Sequence, residues 1–373
     1  MNDAQQLCVP TDGTIEQART KISWFVLDHG LPLLCYSALA ILLTWPLARY
    51  LGDALPAAPG EGAQDLWQNA WNLWWAGEAL RRGQSFFFTD VLFYPQGASL
   101  LFHPLNLTSG LLALPLRAAA GTIAAYNLFV LLSFVLSGYA VFLLARRHSC
   151  GRAAAWLGGL AYTGSTFHFF HLRLGHLEQI SMQWLPLYAL ALDALLMTTS
   201  RARRPGRPRF FARRSSVVRV LLATLALLAV IFTSLYMALY AALLTGVWVA
   251  WMVVETWVGP HPPVPTALPM GAGQGVRAPL LNLGAMLLLT LMIVGPALLI
   301  PMVHEVQQAT YMVPGTDATV RGSALPADAL LPPAAHPLRT LLALPEPYSA
   351  SAFVGYLALA LALYGAVARA PLA

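Results

Sequence analysis

RARRPGRPRFFARRSSVVR, residues 201–219, carries arginine at Arg201, Arg203, Arg204, Arg207, Arg209, Arg213, Arg214 and Arg219. The run before it, 180–197, holds one charge, Asp193, and the run after it, 220–254, holds none. A basic block between apolar runs marks a cytoplasmic loop, because lysine and arginine beside a span are retained on that side. Fixing 201–219 inside therefore sets the direction of the other crossings. Downstream, 220–254 is long enough for two spans of about 20 residues each, with Thr233 and Ser234 at the turn. Upstream, 153–170 runs outward and 180–197 returns.

Before those, the apolar run 122–144 ends at Arg146, Arg147, His148 and Arg152, a second basic cluster expected inside. The run 106–116 (NLTSGLLALPL) is short and interrupted by Gly110 and Pro115. A full crossing there would put 201–219 outside, so a half-span or interfacial helix is expected. With 31–48 first, 281–302 leading outward and 351–367 last, the chain reads as an all-α polytopic membrane protein with about eight transmembrane helices. It forms a single membrane domain, 1–373, with both termini inside. Two long loops face out: 49–121, which holds an amphipathic helix and the half-span, and 303–349.

Composition agrees: 58% of the 373 residues are hydrophobic and 10% are charged, where a soluble domain carries about 25% charged residues. Mean hydropathy is +0.61 and the pI about 9.4. The net charge of +6 sits in the basic loops and reports topology, not a nucleic-acid partner. Cys8, Cys35 and Cys150 have no CxxC or metal spacing and are expected as free thiols. The N-terminal MNDAQQLCVPTDGTIEQART has no basic-then-apolar leader with a small-residue cleavage site, so the first span is expected to be an uncleaved anchor.

In the first outer loop, QDLWQNAWNLWWAGEALRR (64–82) has helical spacing. Trp67, Trp71, Trp74 and Trp75 fall on one side and Asp65, Asn69 and Asn72 on the other. The pattern predicts a helix flat on the membrane, indoles at headgroup depth and the polar stripe toward water. Asp65 is then a carboxylate held over the membrane surface. Equally, an acidic residue in a first turn is ordinary helix-dipole chemistry, and Asp53 and Glu61 share its loop while Asp90 suits a turn. The aromatic run Phe86–Phe88 and FYPQG (93–97) predict a turn-rich structured loop.

The assigned topology gathers other ionisable residues on the same face: His103, His168, His171, Arg173, His176, Glu178, His304, Glu305, Asp328, His336 and Glu346. In FHFFHLRLGHLEQISMQW (167–184), histidines and an arginine at a membrane edge, with Glu178 and Gln183, can hold a lipid-linked phosphate. The same residues also suit a plain interfacial turn. His103, beside Pro104, reads either as facing the Asp65 cavity or as part of a helix-start turn. The adjacent His304 and Glu305 are a minimal divalent-metal pair. The chain has no HExxH, GxSxG, Gly-rich phosphate loop or CxxC, which removes support for the usual soluble hydrolases and P-loop transporters.

Several stretches together carry a resemblance. They are GEGAQDLWQNAWNLWWAGEALRRGQSFFFTDVLFYPQGASLLFHPLN (60–106), AAYNLFVLLSFVLSGYAVFLLARR (124–147), AAAWLGGLAYTGSTFHFFHLRLGHLEQISMQWLPL (153–187), LPADALLPPAAHPL (325–338) and PEPYSASAFVGY (345–356). The chain resembles bacterial membrane glycosyltransferases of the GT-C superfamily, in a branch with an acidic residue six positions before WNLWW. The likeness runs from about Thr44 to Tyr364 and is most specific over 60–190. It implies transfer of a sugar from a polyprenyl-phosphate carrier to an acceptor on the outer face of the plasma membrane. Asp65 would be the base or acceptor-positioning group, His171, Arg173 and His176 would line the carrier-phosphate site, and His103 the donor cavity. Asn69, Asn72, Glu178 and Gln183 join them as substrate-binding candidates, with His304, Glu305, Asp328, His336 and Glu346 further out. The resemblance also implies a chain that ends earlier than its relatives. No cofactor is demanded, although a divalent cation, magnesium or manganese, bridging Asp65 and phosphate suits the chemistry.

Two other classes compete. A lipid or polymer-precursor transporter or flippase predicts ionisable residues at mid-membrane and inverted repeats, whereas the charges here gather at span ends. A non-catalytic membrane scaffold predicts indifference to the loss of Asp65.

Overall fold

The computed structural model describes residues 26–56, 64–148, 150–196, 215–257, 277–308 and 324–333, and short pieces between 339 and 364. The chain is mostly helical. Among the described residues five helices are long and apolar enough to cross a membrane: Val26–Leu43, Leu114–Arg147, Ser216–Thr233, Leu235–Val254 and Ala278–Gln308. Many of their leucines and valines face outward, including Leu225 at 64%, Val247 at 69% and Leu281 at 73% exposure. Such surfaces suit lipid, where an outward leucine carries no hydration penalty.

Helix α1 (Leu31–Leu43) continues from a π-helical turn at Val26–Gly30. The first long loop holds α2 (Gln64–Arg82), a two-residue hairpin β1 (Phe88–Thr89) and β2 (Ala98–Ser99), and α3 (Leu107–Leu112). In the hairpin Phe88 pairs with Ser99 and Thr89 with Ala98. Next come α4 (Leu114–Arg147), α5 (Arg152–Thr163), α6 (Thr166–Leu174), the single turn α7 (Leu177–Ile180) and α8 (Trp184–Leu196). Then α9 (Ser216–Thr233) and α10 (Leu235–Trp257) follow, with α11 (Arg277–Val294) and α12 (Ile300–Gln308) joined by a π-helical turn at Gly295–Leu299.

One sequence expectation corresponds closely to the helices. The apolar run 220–254 is divided at Ser234, whose extended backbone (φ −161°, ψ 136°) ends α9. The run 106–116, expected as a half-span, is divided between α3 and the start of α4. Helix α4 breaks at Gly121, at φ 84° and ψ 172°, into a short leading piece and the span proper. That backbone conformation belongs almost solely to glycine.

The count of eight is not reproduced. The segment 153–170 splits at Gly164 and Ser165, where the Ser165 hydroxyl accepts from the His168 amide and starts a new helix. Its first piece, α5, is 12 residues long, about 18 Å, against roughly 30 Å of hydrocarbon. Helix α8, expected as the return span 180–197, has 13 residues and is buried along nearly all its length. It is an interior helix of the bundle. The final segment, 351–367, lies mostly outside the described residues, as do the arginine loop 201–214 and most of the second long loop.

Packing explains the small residues. Tyr36 of α1 wedges between α4 and α5, at Gly138 and Gly159, and donates its hydroxyl to the Trp156 carbonyl at 3.2 Å. A Cβ at Gly159 would collide with the Tyr36 hydroxyl oxygen and the Gly138 carbonyl oxygen. At one end of the bundle, Asp28 pairs with Arg152 at 2.8 Å and Arg146 at 3.5 Å, and the buried Asp193 pairs with Arg147 and with His148 at 3.4 Å. At the other end α2 lies across the bundle, which sets the position of Asp65.

Candidate functional site

Helix α2 is not an amphipathic helix with its amides in water. Its covered face is Leu66, Asn69, Ala70, Asn72, Leu73 and Ala76, each at most 6% exposed, and Trp75 is fully buried. Only Trp67 of the indole stripe is well exposed, at 59%. Trp71 stacks on Trp75 at 5.6 Å between centroids, and the Trp75 indole N–H donates to the Phe86 carbonyl at 3.0 Å. The indoles hold the hairpin loop, and the amides hold the chain beneath. Asn72 donates to the Pro104 carbonyl at 2.8 Å, and its oxygen lies 2.7 Å from His103 Nε2. His103 is thus the donor from Nε2, and burial lowers its pKa and keeps it neutral. The pair is a clasp between α2 and the re-entering chain, at the place where the sequence reads His103 either as facing the Asp65 cavity or as part of a helix-start turn.

Asp65 sits at the start of α2, half-exposed, and its Oδ2 accepts from His176 Nε2 at 2.9 Å. His176 Nδ1 in turn lies 2.9 Å from His171 Nδ1. The two histidines are five residues apart, at the end of α6 and just beyond it. Gly175 between them terminates α6 in the left-handed conformation, φ 76°. Its carbonyl accepts from Tyr126 Oη at 3.0 Å and from Asn69 Nδ2 at 3.3 Å, and its α carbon packs on Leu66. This docking of Gly175 on α2 brings Asp65 to His176.

Proton positions follow from the chain of contacts. A carboxylate only accepts, so His176 carries hydrogen on Nε2. When His176 is neutral its Nδ1 accepts and His171 Nδ1–H donates. When His176 is protonated the direction reverses and His171 switches tautomer. His171 lies between Phe167 and Phe170, and burial, then the neighbouring His176 and His168, push its pKa down to about 3. Glu178, 6% exposed, moves the other way. Burial raises its pKa against the opposing pull of a backbone N–H, His176 and the Asn69 side chain. Its Oε2 has no protein hydrogen-bond partner among the described residues.

The remaining predicted residues scatter. Arg173 lies on the exposed side of α6 near this cluster. Gln183 is 2% exposed, deep in the bundle. His168 is structural, fully buried, stacked on Phe134 at 3.7 Å and donating from Nδ1 to the Thr163 carbonyl at 2.9 Å. Asp328 accepts from the Leu325 amide at 2.8 Å within its own turn. His304 faces Gln308 at 3.2 Å while Glu305 accepts from Ser99 at 2.5 Å. His336 and Glu346, like the competing Glu61, lie outside the described residues. Among the described residues no three of His, Cys, Asp and Glu gather as a metal-binding group. At Asp65 the acceptor Oδ2 pairs with the donor His176 Nε2, and the side chain is 51% exposed.

Sequence reading missed Tyr126, which anchors Gly175, and the buried Gln179, which donates to Ser234 at 3.1 Å. Both lie within apolar context and their partners are distant in sequence. No family model matches the chain, and no curated protein or solved structure is similar enough to be matched with it.

Proposed function

We propose that the protein is a membrane glycosyltransferase that moves a sugar from a polyprenyl-phosphate carrier to an acceptor hydroxyl, with Asp65 as the base, on the outer face of the plasma membrane. The observation that carries this reading is the continuous line Asp65, His176, His171, with 2.9 Å at each step. In the reaction the acceptor O–H bond breaks and a bond forms from that oxygen to the anomeric carbon. The bond from that carbon to phosphate oxygen breaks, and its electron pair leaves with the polyprenyl phosphate. The proton must go to a group that holds it and then releases it to water. A half-exposed carboxylate fixed by an imidazole suits that task, and general-base assistance of this kind contributes roughly 10²–10⁴-fold. Because the histidine pair can reverse its hydrogen-bond direction, a proton on His176 leaves the line intact. Arg173, exposed on the helix that carries His171, brings to that segment a guanidinium, the group that pairs bidentately with phosphate.

The test is release of polyprenyl phosphate by the purified, reconstituted protein from a panel of polyprenyl-phosphate hexoses and pentoses. Asp65→Asn is expected to lower the rate by about 10²-fold or more with an unchanged melting temperature. Equal rates in the variant sink the role of Asp65, and no release from any donor sinks the transferase reading. A scaffold is the outcome in which neither the donor panel nor Asp65→Asn changes any readout.

A further inference from the structure

A cleft of about 790 Å³ opens where the first long loop meets α12 and the π-helical turn before it. Asp65 does not line it. Trp75, which holds Phe86, is ten residues along α2 from Asp65, about 15 Å of helix. One wall is the loop, with Phe86, Phe87 and Leu101, and the facing wall is Ala297 and Pro301. Ser99, His304, Glu305 and Gln308 close one end with a hydroxyl, an imidazole, a carboxylate and an amide, and no lysine or arginine is among the described lining residues. Ser85, Phe88 and Pro296 complete the lining. Ile293, Ala297 and Pro301 succeed one another at four-residue steps, so the apolar floor runs on to Met292 and Ile293, exposed 65% and 46% on the same apolar helix. The hairpin tip beside the cleft presents Phe93 and Tyr94, exposed 79% and 84%, and aromatic rings in such numbers gather at the membrane interface.

We infer that this cleft binds an amphiphile lying at the membrane surface, its hydrocarbon chain between the Phe86–Phe87 wall and Ala297–Pro301 and its uncharged hydroxyl-bearing head at Ser99, Glu305 and Gln308. The chain follows the apolar floor into the lipid-facing surface, where its burial continues without a polar barrier. The head meets groups that accept from and donate to hydroxyls, whereas a phosphate would call for guanidinium or ammonium partners. Within the transferase reading, on which this clause alone rests, such a lipid is the acceptor class.

The test uses the full chain in lipid nanodiscs and a monoacylglycerol with a diazirine in its acyl chain. Saturable photolabelling is expected on peptides covering 85–101 and 296–308. Excess monoacylglycerol should compete about tenfold better than the same chain ending in phosphate. Ala297→Trp, which fills the cleft from one wall, should lower labelling about tenfold, and Leu101→Trp does the same from the other should the first variant fail to fold. Label spread evenly over the lipid-facing helices, or insensitive to both filling variants, overturns the site. Equal competition by the phosphate-headed chain overturns the head assignment. Asp65→Asn should label as the parent does. A protein that labels but transfers nothing therefore keeps this site and loses the transferase reading, and the opposite result does the reverse.

Discussion

At Gly175 the backbone turns left-handed with its α carbon against Leu66, so an alanine there places Cβ 2.6 Å from Leu66 Cβ. Both the strained φ and the collision act on the contact that sets Asp65 beside His176. Gly175→Ala is expected to cost about 1–3 kcal/mol, seen as a lower melting temperature in detergent, and to reduce any turnover that depends on Asp65. A melting temperature equal to the parent's shows that this contact does not hold α2. Next to it, His171 and Glu178 pull the pH dependence of stability in opposite directions. His171 has a folded pKa of about 3 against roughly 6.5 when unfolded. Between those values the unfolded chain binds more protons, so this contribution is lost as pH falls below about 6.5. Glu178 has a raised folded pKa, so the folded chain holds the extra proton and its contribution is lost as pH rises above the ordinary carboxylate range. Glu178→Gln, which keeps the shape and removes the titration, is expected to raise the melting temperature at pH 7 and to lose that gain near pH 4. His171→Phe is expected to flatten the decline from pH 6.5 downward. Melting curves of the three proteins across that range decide both, and parallel curves remove these residues from the account.

Gly121 controls how two elements join. It lets a short leading helix lie apart from the span that follows, at φ 84° and ψ 172° with no atom within 4 Å of a Cβ built there. Space is therefore no obstacle to Gly121→Ala, and its cost is backbone strain alone, about 1–3 kcal/mol. Urea or thermal unfolding reads that loss, and a neutral result shows that the join adapts. The break was legible in sequence only as a short apolar run with Gly110 and Pro115, set apart by charge bookkeeping, while Gly121 itself gave no sign. Helix α2 shows the same divide. Its bounds, Gln64–Arg82, follow from the spacing of its tryptophans and asparagines. Which face is covered does not, because Asn72 meets Pro104 and Asn69 meets Gly175, residues 32 and 106 positions away. An asparagine whose amide is used by a distant backbone carbonyl reads, in one sequence, like an asparagine in water. The approach of Asp65 to His176 was legible only as residues sharing one face, since 111 positions separate them. The Gly164–Ser165 break failed for a different reason: the run through it is apolar enough that composition alone continues the helix.

Across the whole molecule, charge is divided between two ends. Arg146, Arg147 and Arg152 are neutralised by Asp28 and Asp193 where α4 finishes, and Asp65, His176 and His171 lie where its span begins. The 26 residues from 122 to 147 rise about 39 Å, enough to separate the two groups by a bilayer. If the arginine end faces the cytoplasm, as the positive-inside bias requires, exposed positions around α2 must react with an impermeant thiol reagent from outside. Gln84 is exposed just past the end of α2, and Pro205 lies in the arginine loop outside the described residues. In a background with Cys8, Cys35 and Cys150 changed to serine, Gln84→Cys is expected to label in intact cells, while Pro205→Cys labels only after the membrane is opened. The opposite pattern inverts the molecule and places Asp65 at the inner face, where a carrier sugar presented from outside cannot reach it. Labelling of both positions in intact cells breaks the link between charge division and sidedness. Asp193 checks the same division energetically, because it is 2% exposed and its loss strands Arg147 beside an apolar helix. Asp193→Ala is expected to cost about 3–5 kcal/mol in thermal unfolding without altering which of the two cysteines labels.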